Sequence, residues 1–352
     1  MTNSTATHTV TEIVLPEQVE PEGLQVTTRE LPAPGAGQVV LSMDASGISF
    51  AEQQMRRGKY FDQPPFPFVP GYDLVGTVIA TGPGVDTALL GHRFAAITKI
   101  GAWASALLVE AADLVAVPDS IGSAAAETVV VNGVTAWQML HRTAAVASGS
   151  TIVVLGANGG VGSILVQLAQ HAGISVIGTA SPRHHQALRE QGVTPVDYHA
   201  PDMYEQIRRI APKGVDAVFD HVGGDGVVDS WRLLRKGGTL VSYGTAATKN
   251  EEGNSQLPVL ATFARLAKWN YLPNGKSAHF YNLWAGKRTR LNTFRARLRE
   301  DLTKVFGLVA DGVLVPQIAA EFPLSQAGAA LALAESHTVA GKVVIVPDAP
   351  RS

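Results

Sequence analysis

From Thr9 to Pro118 the chain alternates apolar and polar positions in short runs broken by proline and glycine. Residues 39–43, 74–79, 93–97 and 104–109 follow a period of two, the pattern of half-buried strands, and predict an all-β module. Near Ala124 the period becomes helical, and apolar strands ending near Leu155, Thr179, Asp197, Asp220 and Tyr243 then alternate with helical segments. Such alternation predicts an α/β domain with a doubly wound parallel sheet. Residues 246–288 interrupt the rhythm with Asn, Gly, Pro and aromatics, and read as a loop or insertion that serves packing and dimer contact or walls a substrate site. Beyond them Leu291, Phe294, Leu298, Leu302, Val305, Phe306 and Val309 trace one face of a long helix closed by Gly312. Arg290, Arg295, Arg297 and Arg299 fall largely off that stripe and predict a solvated face. The run 341–346 returns to strand pattern and is expected to rejoin the first module. That module then comprises residues 1–125 plus 316–352, around a nucleotide-binding domain at 126–315. Residues 1–8, rich in Thr and Ser, predict a frayed terminus.

The most specific chemistry lies at residues 151–162, where an apolar strand runs into a glycine cluster that opens a helix. Gly156 suits the tight turn, Gly159 or Gly160 lets the backbone approach a pyrophosphate, and Gly162 lets helix and strand pack closely. With Ala157, Asn158 and Val161 these residues form a candidate phosphate cradle, its anion facing the positive end of the following helix. The spacing departs from the strict G-x-G-x-x-G, so the flanking strand and helix carry much of the inference. An NAD site places an acid at the end of the second strand, about 20 residues on, for the ribose 2′-hydroxyl. Here that strand runs into Ala180, Ser181, Pro182 and Arg183, with no acid before Glu190. Ser181 can donate to a 2′-phosphate, and Arg183 offers a planar fork of donors, so NADPH is favoured over NADH. Tyr243 and Gly244 end the fifth strand where the crevice of an open sheet lies, and their amides are expected to face the cofactor. His221 and Val222 follow Asp220 at another strand end. Val222 joins the candidate cofactor residues, whereas a lone histidine there reads first as structural.

Composition narrows the setting. The 352 residues, 46% hydrophobic and with a formal charge of −2, suit a two-domain enzyme and carry no electrostatic footprint for nucleic acid. Absence of cysteine excludes disulfides and thiolate chemistry. No charged-then-apolar leader opens the chain, and no apolar run approaches the roughly 20 residues of a membrane span, so a cytoplasmic protein is expected.

The order of β-module, nucleotide-binding domain and β-tail resembles the medium-chain dehydrogenase/reductase superfamily over nearly the whole chain, nearest its zinc-independent quinone oxidoreductase branch. The segments 57–60, 70–78, 132–137, 156–162 and 341–344 carry the resemblance. It implies a Rossmann domain beside a discontinuous GroES-like domain, an active site in the cleft between them, and a homodimer. Ser49 stands where the zinc-dependent branch has a cysteine and Tyr72 where it has a histidine, so no metal is expected. The resemblance further implies hydride transfer from NADPH to a small electrophile, a quinone or an α,β-unsaturated carbonyl. A 2-enoyl or alkenal double-bond reductase is an alternative, as is a non-catalytic NADPH-binding structural or regulatory protein. Asn132, Val134 and Thr135 would line the nicotinamide. The quinone reductases usually carry Asn and Asp where this chain has Ser49 and Glu52. Ser49 would then bond a carbonyl or the ribose, and Glu52 would serve either as a proton source raised by burial or as an exposed helix-start acid. Tyr60 is the candidate phenol at the substrate mouth, with packing against Phe61 and Phe66 its other reading.

Overall fold

The computed structural model describes residues 8–244, 256–336 and 338–348. Two compact units appear: Met1–Val134 with Gly286–Ser352, and Thr135–Ala285.

The first unit is built on a seven-stranded sheet. Ile318–Pro323, Lys342–Val346, Gln38–Gly47, Asp73–Thr81, Arg93–Ile97 and Val115–Ala116 follow one another across it, and Ala106–Glu110 also pairs with Gln38–Gly47. The C-terminal strand rejoins the module as expected, through antiparallel pairing of Val344 with Gly47. Val39, Leu41, Met43, Leu74, Val78, Trp103, Val343 and Ile345 fill its core. A separate hairpin, His8–Val14 with Gln25–Leu31, was not foreseen. His8, placed in the frayed terminus, opens that hairpin, and residues 1–7 lie outside the described residues.

The second unit holds six parallel strands in the order Thr194–Asp197, Ser175–Ala180, Thr151–Val154, Val215–Asp220, Leu234–Ser242 and Ser277–Phe280. Counted along the chain this is 3-2-1-4-5-6, the doubly wound Rossmann order, with its switch point between the first and fourth strands. Val153, Val218 and Leu240 are fully buried in its centre.

Two expectations need correction. The segment 246–288 is not wholly a loop: helix Gln256–Trp269 and strand Ser277–Phe280 add a sixth repeat to the sheet, while residues 245–255 lie outside the described residues. The strand escaped notice because it is a four-residue edge strand with a Ser and a His, and of these only Ala278 is buried. Helix Leu291–Ala310 forms as predicted, but it groups with the first unit rather than with the nucleotide-binding one, so the dividing points differ from 125/126 and 315/316. Its apolar and arginine faces both meet that unit, with Val305 packed against Gly133. Arg295 Nε donates to Asp113 at 2.6 Å and Arg299 Nη2 to the Ala112 carbonyl at 2.9 Å, so part of the face expected to be solvated docks on the first unit.

Candidate functional site

Ser49 caps helix Phe50–Arg56, because its hydroxyl accepts from the Ala51 amide at 3.2 Å while Glu52 Oε2 accepts from the Ser49 amide at 2.9 Å. This reciprocal box satisfies amides that have no partner inside the helix. The Ser49 hydroxyl also donates to Glu52 Oε2, and Glu52 Oε1 accepts from the Tyr72 amide at 2.7 Å. Glu52 is therefore a helix-start acid, but a buried one, at 2% exposure. Burial pushes its carboxyl above the ordinary range against the Ser49 hydrogen bond, and nearby Asp73 adds to the rise. The expected proton source is thus a carboxyl whose two oxygens are both engaged by the protein. The far end of the helix is held by Arg56, whose Nη2 lies 2.6 Å from Glu335 Oε2.

Tyr72 links this box to Tyr60. Their hydroxyls are 3.0 Å apart and their rings meet edge to face with centroids 6.4 Å apart. Lys99 Nζ sits 5.9 Å from the Tyr60 ring centroid and pairs with Asp62, whose carboxyl that hydrogen bond holds below its ordinary value. Ser49, Glu52 and Tyr60, proposed separately from sequence, thus meet through Tyr72.

The residue after Tyr72 opens a cluster that sequence reasoning missed. Lys342 Nζ lies 3.1 Å from Asp73 Oδ2 and 2.7 Å from Glu127 Oε1, with all three side chains essentially removed from solvent. Glycine at position 47 makes room, since a Cβ there would lie 2.0 Å from Lys342 Cε. Asp73 Oδ2 also accepts from the Val131 amide at 3.0 Å, which anchors the start of helix Val131–Trp137. That helix carries Asn132, Val134 and Thr135, all buried. Desolvation works against the Lys342 charge, and Asp73 and Glu127 overcome it, holding the ammonium above the ordinary lysine range. Burial, opposed by Lys342 and aided by Asp73, lifts Glu127 well above a normal carboxyl, and its Oε2 has no hydrogen-bond partner. A signal was present in the sequence: Asp73, Glu127 and Lys342 are charges set in apolar runs, where an unpaired charge is too costly to bury.

In the second unit the candidate cradle has the form expected of it. Residues 155–159 turn out of strand Thr151–Val154 and helix Gly160–His171 begins at once, with Gly159 as an N-cap that offers no side chain to the free amides. Val161 and Gly162 lie in its first turn. Gly156 has φ +71°, and a Cβ on Gly162 would lie 2.1 Å from the Gly156 carbonyl oxygen. The Gly156 amide donates to Thr179 Oγ1 at 3.0 Å and the Ala157 amide to the Thr179 carbonyl at 2.9 Å, so the neighbouring second strand holds the turn open. That strand ends at Ala180, directly before Ser181, and Arg183 Nε donates to His184 Nε2 at 3.0 Å. Burial, with Arg183 beside it, lowers the His184 pKa.

The fourth and fifth strands complete the crevice, with a correction. Asp220 is buried, and its Oδ1 accepts from the amides of Val222 at 2.8 Å and Gly223 at 2.9 Å, while Oδ2 accepts from the Ser230 hydroxyl at 2.7 Å. The Tyr243 amide donates to the Asp220 carbonyl at 2.9 Å. The Val222 and Tyr243 amides are therefore spent inside the protein rather than offered to a ligand. Gly244 is confined by the His221 carbonyl oxygen, which a Cβ would approach to 2.5 Å.

A tight glycine turn with no room for a side chain at 156 or 162, a helix start without a side-chain cap and a second strand without an acid fit a phosphorylated dinucleotide. The donor set fits zinc poorly: there is no cysteine, and the Ser49 and Tyr72 hydroxyls are bonded to Glu52 and Tyr60. Among the described residues no three His, Cys, Asp or Glu side chains gather as a metal requires.

Comparison with known proteins matches residues 35–139 to the alcohol dehydrogenase GroES-like domain and residues 191–345 to the family described as zinc-binding dehydrogenase. The human synaptic vesicle membrane protein VAT-1 homolog is 32% identical over 325 residues, covering 90% of this chain and 80% of that protein. The Escherichia coli quinone oxidoreductase complexed with NADPH superposes with a TM-score of 0.83 at 25% identity, covering 96% of this chain and all of the other. A mycobacterial protein solved with NADPH gives 0.79 at 26% identity, again covering 96% of this chain and all of the other.

Proposed function

The chain belongs to the medium-chain dehydrogenase/reductase superfamily, and from that premise we propose that it is an NADPH-dependent reductase of quinones or α,β-unsaturated carbonyls. The observation that carries the reading is the glycine cradle at the switch point of the parallel sheet, beside a second strand that leads directly into Ser181 and Arg183. Residues 156–162 would hold the pyrophosphate, Ser181 and Arg183 the 2′-phosphate, and Asn132, Val134, Thr135 and Gly244 the nicotinamide end. When bound, NADPH supplies a hydride from its reduced nicotinamide. The protein supplies orientation and a hydrogen bond to the oxygen that gains charge as the acceptor is reduced. Tyr60 is the group proposed to touch that oxygen, because a phenol donates to an oxyanion without changing its own charge. Lys99, 5.9 Å from its ring centroid, adds a positive field. Ser49 and Glu52 act through Tyr72 and are positioning residues. The similarity to quinone oxidoreductases supports a small-molecule acceptor. A homodimer is proposed with it, and light scattering of the purified protein reads the assembly.

The test is NADPH absorbance in chelator-treated protein offered 1,4-quinones and enones, with NADH in parallel. The reading expects turnover that survives chelation and prefers NADPH. Turnover of enones alone favours the double-bond reductase. Tight NADPH binding without turnover on any acceptor refutes the enzyme reading in favour of a non-catalytic, cofactor-binding structural or regulatory role.

A further inference from the structure

His221 stands at the carboxyl end of strand Val215–Asp220, across the switch point from the glycine cradle. Its Nδ1 is 3.0 Å from the Leu155 carbonyl oxygen. A carbonyl only accepts, so Nδ1 carries the proton, and the neutral ring leaves Nε2 as a lone-pair acceptor. The ring is clamped in place. A Cβ on Gly156 would lie 2.5 Å from its Cε1, one on Gly244 would lie 2.5 Å from its carbonyl oxygen, and the Tyr243 ring centroid is 6.1 Å away. Glycine at 156 therefore serves the imidazole as well as the turn. Burial keeps the ring neutral against the pull of Asp220, whose carboxylate is occupied by Val222, Gly223 and Ser230.

Nε2 is the unused polar atom of this clamp. It is not among the sealed, unsatisfied side-chain atoms of the described residues, and the ring's hydrogen bond is the one to Leu155. It therefore keeps some contact with solvent, at a strand end where the imidazole lies against Gly156 of the cradle. A phosphate oxygen is a poor match for it, since two acceptors repel. A neutral donor is a good match, and the dinucleotide carries such donors as ribose hydroxyls.

Resting on the NADPH reading above, we propose that His221 is a cofactor-binding residue that accepts a hydrogen bond from a ribose hydroxyl at Nε2. Its role is to fix the sugar against the cradle, while the amides of the helix start take the phosphates.

The experiment measures NADPH affinity by fluorescence titration, with thermal midpoints alongside, for wild type, His221→Phe and His221→Gln. Phe keeps a ring on Gly156 and removes the acceptor, whereas Gln keeps an acceptor oxygen. His221→Phe is expected to weaken NADPH about 10-fold, the size of one hydrogen bond, at a little-changed midpoint, and His221→Gln to stay within about 3-fold of wild type. Equal affinity in wild type and His221→Phe overturns the proposal alone. Loss of affinity in both variants together with a lowered midpoint also overturns it, because packing then explains the effect. Failure of the wild type to bind NADPH overturns the dinucleotide reading first, and this proposal with it.

Discussion

Lys342→Met removes the ammonium from a buried cluster and leaves the side chain's bulk almost unchanged. Asp73 and Glu127 lose a partner at 3.1 and 2.7 Å, and neither is exposed enough for water to replace it. Taking one partner from a buried ion pair costs about 3–5 kcal/mol, because the remaining charge stays desolvated. The raised Glu127 pKa favours its uncharged form, which needs no cation beside it, so the lower end of that range is expected. At roughly 2–4 °C per kcal/mol for a domain of 150–250 residues, a fall in melting temperature of about 6–12 °C follows. Calorimetry of the purified variant reads it. A companion change, Asp73→Asn, restores charge balance in the double variant and keeps a carbonyl oxygen able to accept from the Val131 amide. The double variant is therefore expected to recover more than half of the loss. The lysine's own titration does not complicate the comparison at neutral pH. Its pKa is raised from 10.5, so its contribution is fully present below that value and fades only as pH climbs through the higher native one. A loss under about 1 kcal/mol in Lys342→Met would refute the view that this ammonium is the charge partner that the buried Asp73–Glu127 pair requires.

Glu127→Gln tests the other side of the same cluster. Native Glu127 holds its proton more tightly than the unfolded chain does, so wild-type stability declines as pH rises from 4.5 towards the raised native value. Over that window the variant should gain on wild type in denaturant melts, and a constant or shrinking difference counts against the assignment. Gly162→Ala forces a methyl to within 2.1 Å of the Gly156 carbonyl oxygen, an overpacking cost of about 1–3 kcal/mol, and should weaken NADPH by at least about 10-fold. Unchanged affinity in a titration would show that this turn does not form the cradle. Arg183→Ala should weaken NADPH about 10-fold while leaving NADH nearly unchanged, the difference one charge-assisted bond to phosphate makes. Parallel loss for both cofactors would remove Arg183 as the reader of the 2′-phosphate.

Periodicity exposed most of the architecture, since alternation of period two and helical stripes follow directly from which face is buried. Strands 38–47, 73–81 and 93–97 and helix 291–310 form where those patterns occur. Patterns failed where burial is one-sided or short. The hairpin strand Gln25–Leu31 buries only Leu31, and strand Ser277–Phe280 only Ala278, so neither writes an apolar run. At the site, Gly156 and Gly162 were legible because close approach demands glycine. The spending of the Val222 and Tyr243 amides on Asp220 was not, because it depends on where one buried carboxylate and the backbone beside it lie in three dimensions. The same limit hid the Lys342 cluster, whose members are separated by up to 269 positions along the chain.

The exchange of ligand-type side chains for hydroxyls at positions 49 and 72 also shapes the choice of acceptor. Turning an alcohol into an alkoxide at neutral pH calls for a strong Lewis acid or a free base. Here the nearest carboxyl, Glu52, accepts from the Ser49 and Tyr72 amides and the Ser49 hydroxyl, and burial favours its protonated form, so it is ill suited to that task. A conjugated carbonyl or a quinone needs less from the protein. The acceptor's own π-system takes the electron pair, and one hydrogen-bond donor near the oxygen lowers the barrier. On the proposed reading, a phenol fixed by Tyr72, itself fixed by Glu52 and by the strand that Lys342 anchors through Asp73, would supply such a donor with little reorganisation.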